Sequence, residues 1–299
     1  MNHIEQLYLQ IIHNTCTQTS SNITISQDVS ISLINLAQTQ SSLPFLLPYI
    51  KDSSLLYNIK YQTKLMMLNY YQIEQFTRRI ADLFDANNIS YILLKGISLA
   101  AFYPVPEYRQ LGDVDIYIND KEMFNRANAL LLANGYTKDD EISDHHQGYL
   151  YKVPQTGRTM ILELHYRIVG LYQYAPVNKI VDDVFAANTF SPAMQTVNDR
   201  NYPVLPPTEY TFYMIHHMLK HYLYSGFGIR LLCDFTFFWD TITQRLTLPK
   251  FIRGVKNQKS CTYMKSFWKH AASILVCQKR LIPKFIITKM TVRLLSHNC

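Results

Sequence analysis

Glycine is scarce, with 9 residues in a chain of 299, which excludes a glycine-rich dinucleotide fold and argues against a loop-dominated β-sandwich. Cysteine is scarce too. Cys16, Cys233, Cys261, Cys277 and Cys299 are odd in number and scattered, with no CxxC pair, so neither a disulfide framework nor a zinc knuckle is supported. A reducing, cytoplasmic setting is expected. No uncharged apolar run reaches eighteen residues, so no membrane-spanning segment is expected. The first twenty residues carry Glu5 and no basic stretch ahead of an apolar one, unlike a signal peptide. Acid is missing from one whole region: residues 241–299 hold 12 Lys and Arg and no Asp or Glu.

What is present belongs to a folded protein, 48% hydrophobic and 17% charged, which excludes disorder, collagen and a disulfide-stapled miniprotein. The aromatic set is dominated by 22 Tyr, apolar bodies with polar tips. The net charge of +7 divides unevenly, with a tail at +12 and a body of 17 basic against 22 acidic residues. Such a tail reads either as a footprint for RNA or another polyanion, or as the solvated side of helices packed through Trp268, Leu275 and Phe285.

The periodicity predicts a helical region over 1–88, an α/β core over 89–170 and a helical region over 171–299. Within the first, a helix is expected over Ser30–Ala37, then a long one from Asp52 to about Asn87, with apolar residues spaced by three and four. The period then changes. Ile89–Leu94 reads as a buried strand ending at Gly96, and 113–118 alternates polar and apolar as a strand with one wet face. A helix over Lys121–Asn134 stops at Gly135. Strands near 147–153 and 158–168 flank the turn Pro154–Gly157. Helices are expected over 208–223, 230–243 and 260–277.

The chemically informative stretch is Gly112-Asp113-Val114-Asp115-Ile116. Positions i and i+2 of a strand share a face, so both carboxylates project together. Their repulsion is relieved by a cation between them, and Mg²⁺ uses one or two carboxylates plus substrate phosphates. Two acids on a strand are equally an ordinary solubility device. The context adds chemistry: Lys95-Gly96-Ile97-Ser98 stands at a strand–helix junction where phosphate can approach. Leu162-Glu163-Leu164-His165 alternates so that Glu163 and His165 share a face. Three acids, a Gly/Ser turn and a Lys are the parts of metal-assisted nucleotidyl transfer.

The run Leu93–Pro104, Pro106-Glu107-Tyr108-Arg109, Gly112–Ile116 and Leu162–His165, continued by His217-Met218-Leu219-Lys220-His221 and Gly228–Asp234, resembles an uncharacterised bacterial nucleotidyltransferase-like family of the DNA polymerase beta-type superfamily, over about 90–240. The resemblance implies an α+β fold with a small mixed nucleotidyltransferase-type sheet and flanking helices. It implies transfer of a nucleoside monophosphate from an NTP, ATP first among them. Asp113 and Asp115 would be metal ligands, Glu163 the third carboxylate, and Gly96 with Ser98 would lie at the triphosphate. Ile97 here separates the two small residues, which stand in direct succession in the wider superfamily.

Lys95 reads as a phosphate ligand or a snorkelling strand-end lysine. Arg109 reads as a phosphate ligand or as an ion-pair partner of Glu107 or Asp113. His217 and His221 are spaced i, i+4 on a helix, as in a zinc pair, but Met218 stands where a zinc protease places its glutamate. With Arg230 and Asp234, themselves i, i+4 partners, they read as a buried polar network or as ligand contacts. The expected function is an Mg²⁺-dependent nucleotidyltransferase acting on an NTP and an unidentified acceptor. The alternatives are a non-catalytic nucleic-acid-binding protein using 241–299, and a zinc hydrolase built on His217, His221 and Asp234.

Overall fold

The computed structural model describes residues 2–19, 23, 25–186, 190–224, 226 and 228–245. The basic tail beyond 245, the helix expected over 260–277 and three of the cysteines lie outside the described residues. Among those described, no helix is long and apolar enough to cross a membrane.

Two compact units divide the chain, one of residues 1–60 and 235–299, the other of 61–234. In the first, α1 (His3–Thr17) starts from a reciprocal capping box in which Asn2 and Glu5 each bond the other's backbone N–H. Helix α2 (Gln27–Thr39) extends beyond the eight residues expected. A 3₁₀ turn at Leu43–Leu46 follows, and the Tyr8 and Ser42 hydroxyls meet at 2.5 Å. Helix α3 (Ser53–Ala86) carries the boundary between units and starts where Asp52 accepts a hydrogen bond from the Leu55 N–H.

The second unit is built on seven strands: β1 (Ile92–Leu93), β2 (Val114–Tyr117), β3 (Tyr136–Lys138), β4 (His146–Lys152), β5 (Thr159–His165), β6 (Ala193–Val197) and β7 (Arg200–Val204). Their spatial order is β3-β4-β5-β2-β1-β7-β6. Pairs β2/β5 and β1/β7 are parallel and the others antiparallel, so the sheet is mixed and the fold is α+β. Its helices are the remainder of α3, the single turn α4 (Ile97–Ala100), α5 (Lys121–Ala133), α6 (Ala175–Phe185), α7 (Pro207–Tyr224) and the start of α8 (Ile229–Arg245).

The turn at 154–157 closes the β4/β5 hairpin, with Gly157 at φ 67° and its N–H donating to the Val153 carbonyl. Hairpin β6/β7 and the short β3 lie outside the sequence expectation. Pro203 sits inside β7, where it masks the alternation. The strand at 113–118 was expected to have one wet face. Instead all four residues of β2 are buried, because β2 is a central strand with both faces covered.

Candidate active site

Strand register assembles the acids. In the parallel pair β2/β5, Asp115 lies opposite Glu163, and partners on adjacent strands project to the same face. Asp113 stands two residues before Asp115 and shares its side. Across the antiparallel pair β4/β5, Gly148 lies opposite Glu163 and His146 opposite His165. Gly148 and Glu163 both line a cavity of about 400 Å³ with Asp113, His146 and Arg158.

Lys95 follows β1 and enters this group from the other side. Its Nζ is 3.1 Å from Asp115 Oδ1 and 3.6 Å from Asp113 Oδ2. Gly96 makes the reversal with φ 70° and ψ −122°, a backbone region restricted to glycine. Burial works against the Lys95 charge, yet Asp115 and Asp113 outweigh it and hold the ammonium well above its ordinary pKa. Asp115 is fully buried, with His165 Nε2 3.1 Å from Oδ1, while its Oδ2 has no partner among the described residues. Ligand-capable atoms of Asp115, Glu163 and His165 all lie within 4.8 Å of one another.

Burial raises the Glu163 pKa, but the hydrogen bond from His165 and the Lys95 charge outweigh it and depress the carboxyl to about 2. His165 behaves conversely. Burial opposes its charge, and the hydrogen bonds to Asp115 and Glu163 raise its pKa. The Lys95 ammonium is thus the counter-charge of the cluster, within reach of Asp115 and Asp113 and acting on Glu163.

A second cavity, of about 220 Å³, shares Gly112 and Asp113 with the first and is lined by Lys95, Gly96, His217, His221 and Arg230. Burial first, then the positive charge of Lys95, with Arg230 adding to it, hold His217 well below its ordinary pKa. Asp113 thus stands between a basic cavity and a mixed one.

Arg109 and Ser98 are both engaged by other side chains. Arg109 pairs with neither Glu107 nor Asp113. Its Nε and Nη2 reach Asp234 Oδ1 and Oδ2 at 2.7 and 2.9 Å, and Tyr103 donates to the same carboxylate at 2.7 Å. Arg109 also borders the basic cavity. Asp234 is therefore engaged across 125 residues by Arg109, whose guanidinium fork meets both carboxylate oxygens. Among the described residues, His217, His221 and Asp234 do not converge as a metal-ligand set. Ser98 is fully buried, its hydroxyl 2.8 Å from that of Tyr210 and 3.2 Å from the Lys95 carbonyl.

Sequence reasoning missed His145 and His146. His145 Nε2 lies 3.3 Å from His146 Nδ1, and His146 Nδ1 lies 3.8 Å from Glu163. The consecutive pair ahead of a strand was the available signal, but only the β4/β5 register brings it beside Glu163 and His165.

No curated protein matches the chain. Among solved structures, an antigenic nucleotidyltransferase-like protein from Paracoccidioides brasiliensis is similar at 16% identity, covering 69% of this chain and 91% of that one with a TM-score of 0.37. That likeness is too distant to carry residues or activity across. The family model described as uncharacterised nucleotidyltransferase matches residues 32–272, a span that includes Lys95, Asp113, Asp115 and Glu163, and the chain belongs to that family.

Proposed function

We propose that this chain is an Mg²⁺-dependent nucleotidyltransferase that moves a nucleoside monophosphate from an NTP, ATP foremost, to an acceptor hydroxyl. The observation that carries this reading is the convergence of Asp113, Asp115 and Glu163 around a position now neutralised by the Lys95 ammonium. The donor set suits a hard cation, because its atoms are carboxylate oxygens and Asp115 Oδ2 is buried without a partner among the described residues. Asp113, Asp115 and Glu163 would hold Mg²⁺, which supplies charge neutralisation at the triphosphate and at the attacking oxygen.

The remaining work falls to the protein's own groups. Lys95 and Arg230 bind phosphate oxygens in the basic cavity, where neutral His217 adds a hydrogen bond. The larger cavity beside Glu163 and Arg158 receives the acceptor. The acceptor oxygen bonds to the α-phosphorus, the bond from that phosphorus to the bridging oxygen breaks, and pyrophosphate leaves with its electron pair. The hydroxyl proton passes to solvent through the larger cavity. Glu163, depressed to about 2, is a poor proton acceptor and better suited to holding positive charge. Positioning and charge carry such a reaction. The described cysteines, Cys16 and Cys233, are both buried thiols, and the setting proposed for them is a reducing cytoplasm.

The test is incubation with labelled ATP, CTP, GTP or UTP, Mg²⁺ and cell extract, beside Asp113→Asn. Label transferred to an acceptor by the parent chain and not by the variant supports the reading. Equal labelling by both would remove it.

A further inference from the structure

Beside the carboxylates stand three imidazoles that the transfer reaction does not use. His145 Nδ1 lies 2.6 Å from Asp144 Oδ1, and Asp144 Oδ2 accepts the Leu171 N–H at 2.8 Å. The carboxylate is anchored, so it fixes the proton on Nδ1 and leaves Nε2 as the lone-pair nitrogen, the arrangement that orients metal-binding histidines. Gly170 backs this pair closely: a Cβ there would stand 2.9 Å from Asp144 Oδ1 and 3.0 Å from His145 Nδ1.

His145 Nε2 and His146 Nδ1 are 3.3 Å apart. In the metal-free chain a proton can join them, and the Ser143 hydroxyl lies 3.1 Å from His146 Nδ1. A cation about 2.0–2.1 Å from each nitrogen in tetrahedral geometry imposes nearly the same spacing. His165 completes the set. Its Nε2 is held by Asp115 and lies 3.3 Å from Glu163 Oε2, while Nδ1 is buried without a partner among the described residues. One ligand-capable atom from each of His145, His146 and His165 falls within 4.8 Å of the others.

We propose that His145, His146 and His165 form a site for a borderline-soft divalent cation of the Zn²⁺ class, bordering the Mg²⁺ site but separate from it. Imidazole nitrogens select Zn²⁺, Cu²⁺ or Ni²⁺ over Mg²⁺, whereas the acids select the reverse. His146 and Glu163, 3.8 Å apart, both line the larger cavity, so a cation enters from solvent. The site does not depend on the transferase reading.

Cobalt titration of the full-length chain tests it, because four-coordinate Co²⁺ absorbs strongly in the visible and six-coordinate Co²⁺ weakly. The expected result is a strong band saturating at one equivalent, bleached by Zn²⁺ but not by excess Mg²⁺. It should be lost in His145→Gln and His146→Gln, with melting temperatures recorded to show that both variants fold, and kept in Asp113→Asn. A parent chain without the band, a band kept in both histidine variants, or a band lost in Asp113→Asn would each overturn the proposal.

Discussion

Asp115 and Glu163, forty-eight positions apart in sequence, are direct partners across the parallel strands β2 and β5. Their carboxylates meet on one side of the sheet because a parallel ladder keeps partnered side chains on a common face. Central strands bury such a pair, and burial makes the two acids of the Asp-Val-Asp motif unequal. Asp115 is fully buried between Lys95 and His165, while the side chain of Asp113 remains 34% exposed.

Asp113→Asn and Asp115→Asn should both abolish nucleotide transfer, yet differ in stability. Removing the Asp115 charge leaves the buried His165 without it and the half-buried Lys95 with Asp113 alone, a loss of about 3 kcal/mol. The looser, part-exposed contact of Asp113 with Lys95 is worth about 1 kcal/mol or less. Urea denaturation of both variants measures the gap, and equal midpoints would contradict the burial argument.

Glu163 should make the protein acid-sensitive. Its pKa is depressed to about 2 from the ordinary glutamate value of 4.5, so its contribution is fully present above the unfolded value. It is lost as pH falls from there through about 2. The shift corresponds to roughly 3 kcal/mol at most. Denaturation at pH 6 and pH 3 should show a steeper acid loss in the parent chain than in Glu163→Gln.

Arg230 borders the basic cavity and forms no ion pair with an acid among the described residues. Arg230→Ala should raise the KM for the nucleotide about ten- to hundredfold, the size of one lost charge-assisted hydrogen bond. The parent and variant should melt at similar temperatures. Unchanged KM would remove Arg230 from the phosphate side.

The Arg109–Asp234 pair predicts a structural and not a catalytic phenotype. Both side chains are buried and doubly bonded, with Tyr103 as a third member. Asp234→Asn should cost about 3–5 kcal/mol, and Tyr103→Phe about 1 kcal/mol. Thermal melts of the two variants decide it: an Asp234→Asn chain as stable as the parent would show that the fork does not hold the fold.

Local pattern determined a large part of this protein. The long helix after Asp52, the β4/β5 hairpin around Gly157, helices α5, α7 and α8, and the pairing of Asp113 with Asp115 all follow from periodicities of 3.6 or 2 and from residues that cap or turn the backbone. Glu163 and His165 were legible as neighbours on one strand face for the same reason. Tertiary structure decided the rest, because strand order and register depend on contacts between distant segments. It set Glu163 opposite Asp115, brought His145 and His146 to His165, and buried a strand whose alternation suggested a wet face. It also gave Asp234 to Arg109 across 125 residues in place of its helical neighbour Arg230, because the fold buries these two distant segments against each other and spacing along the chain does not encode that approach.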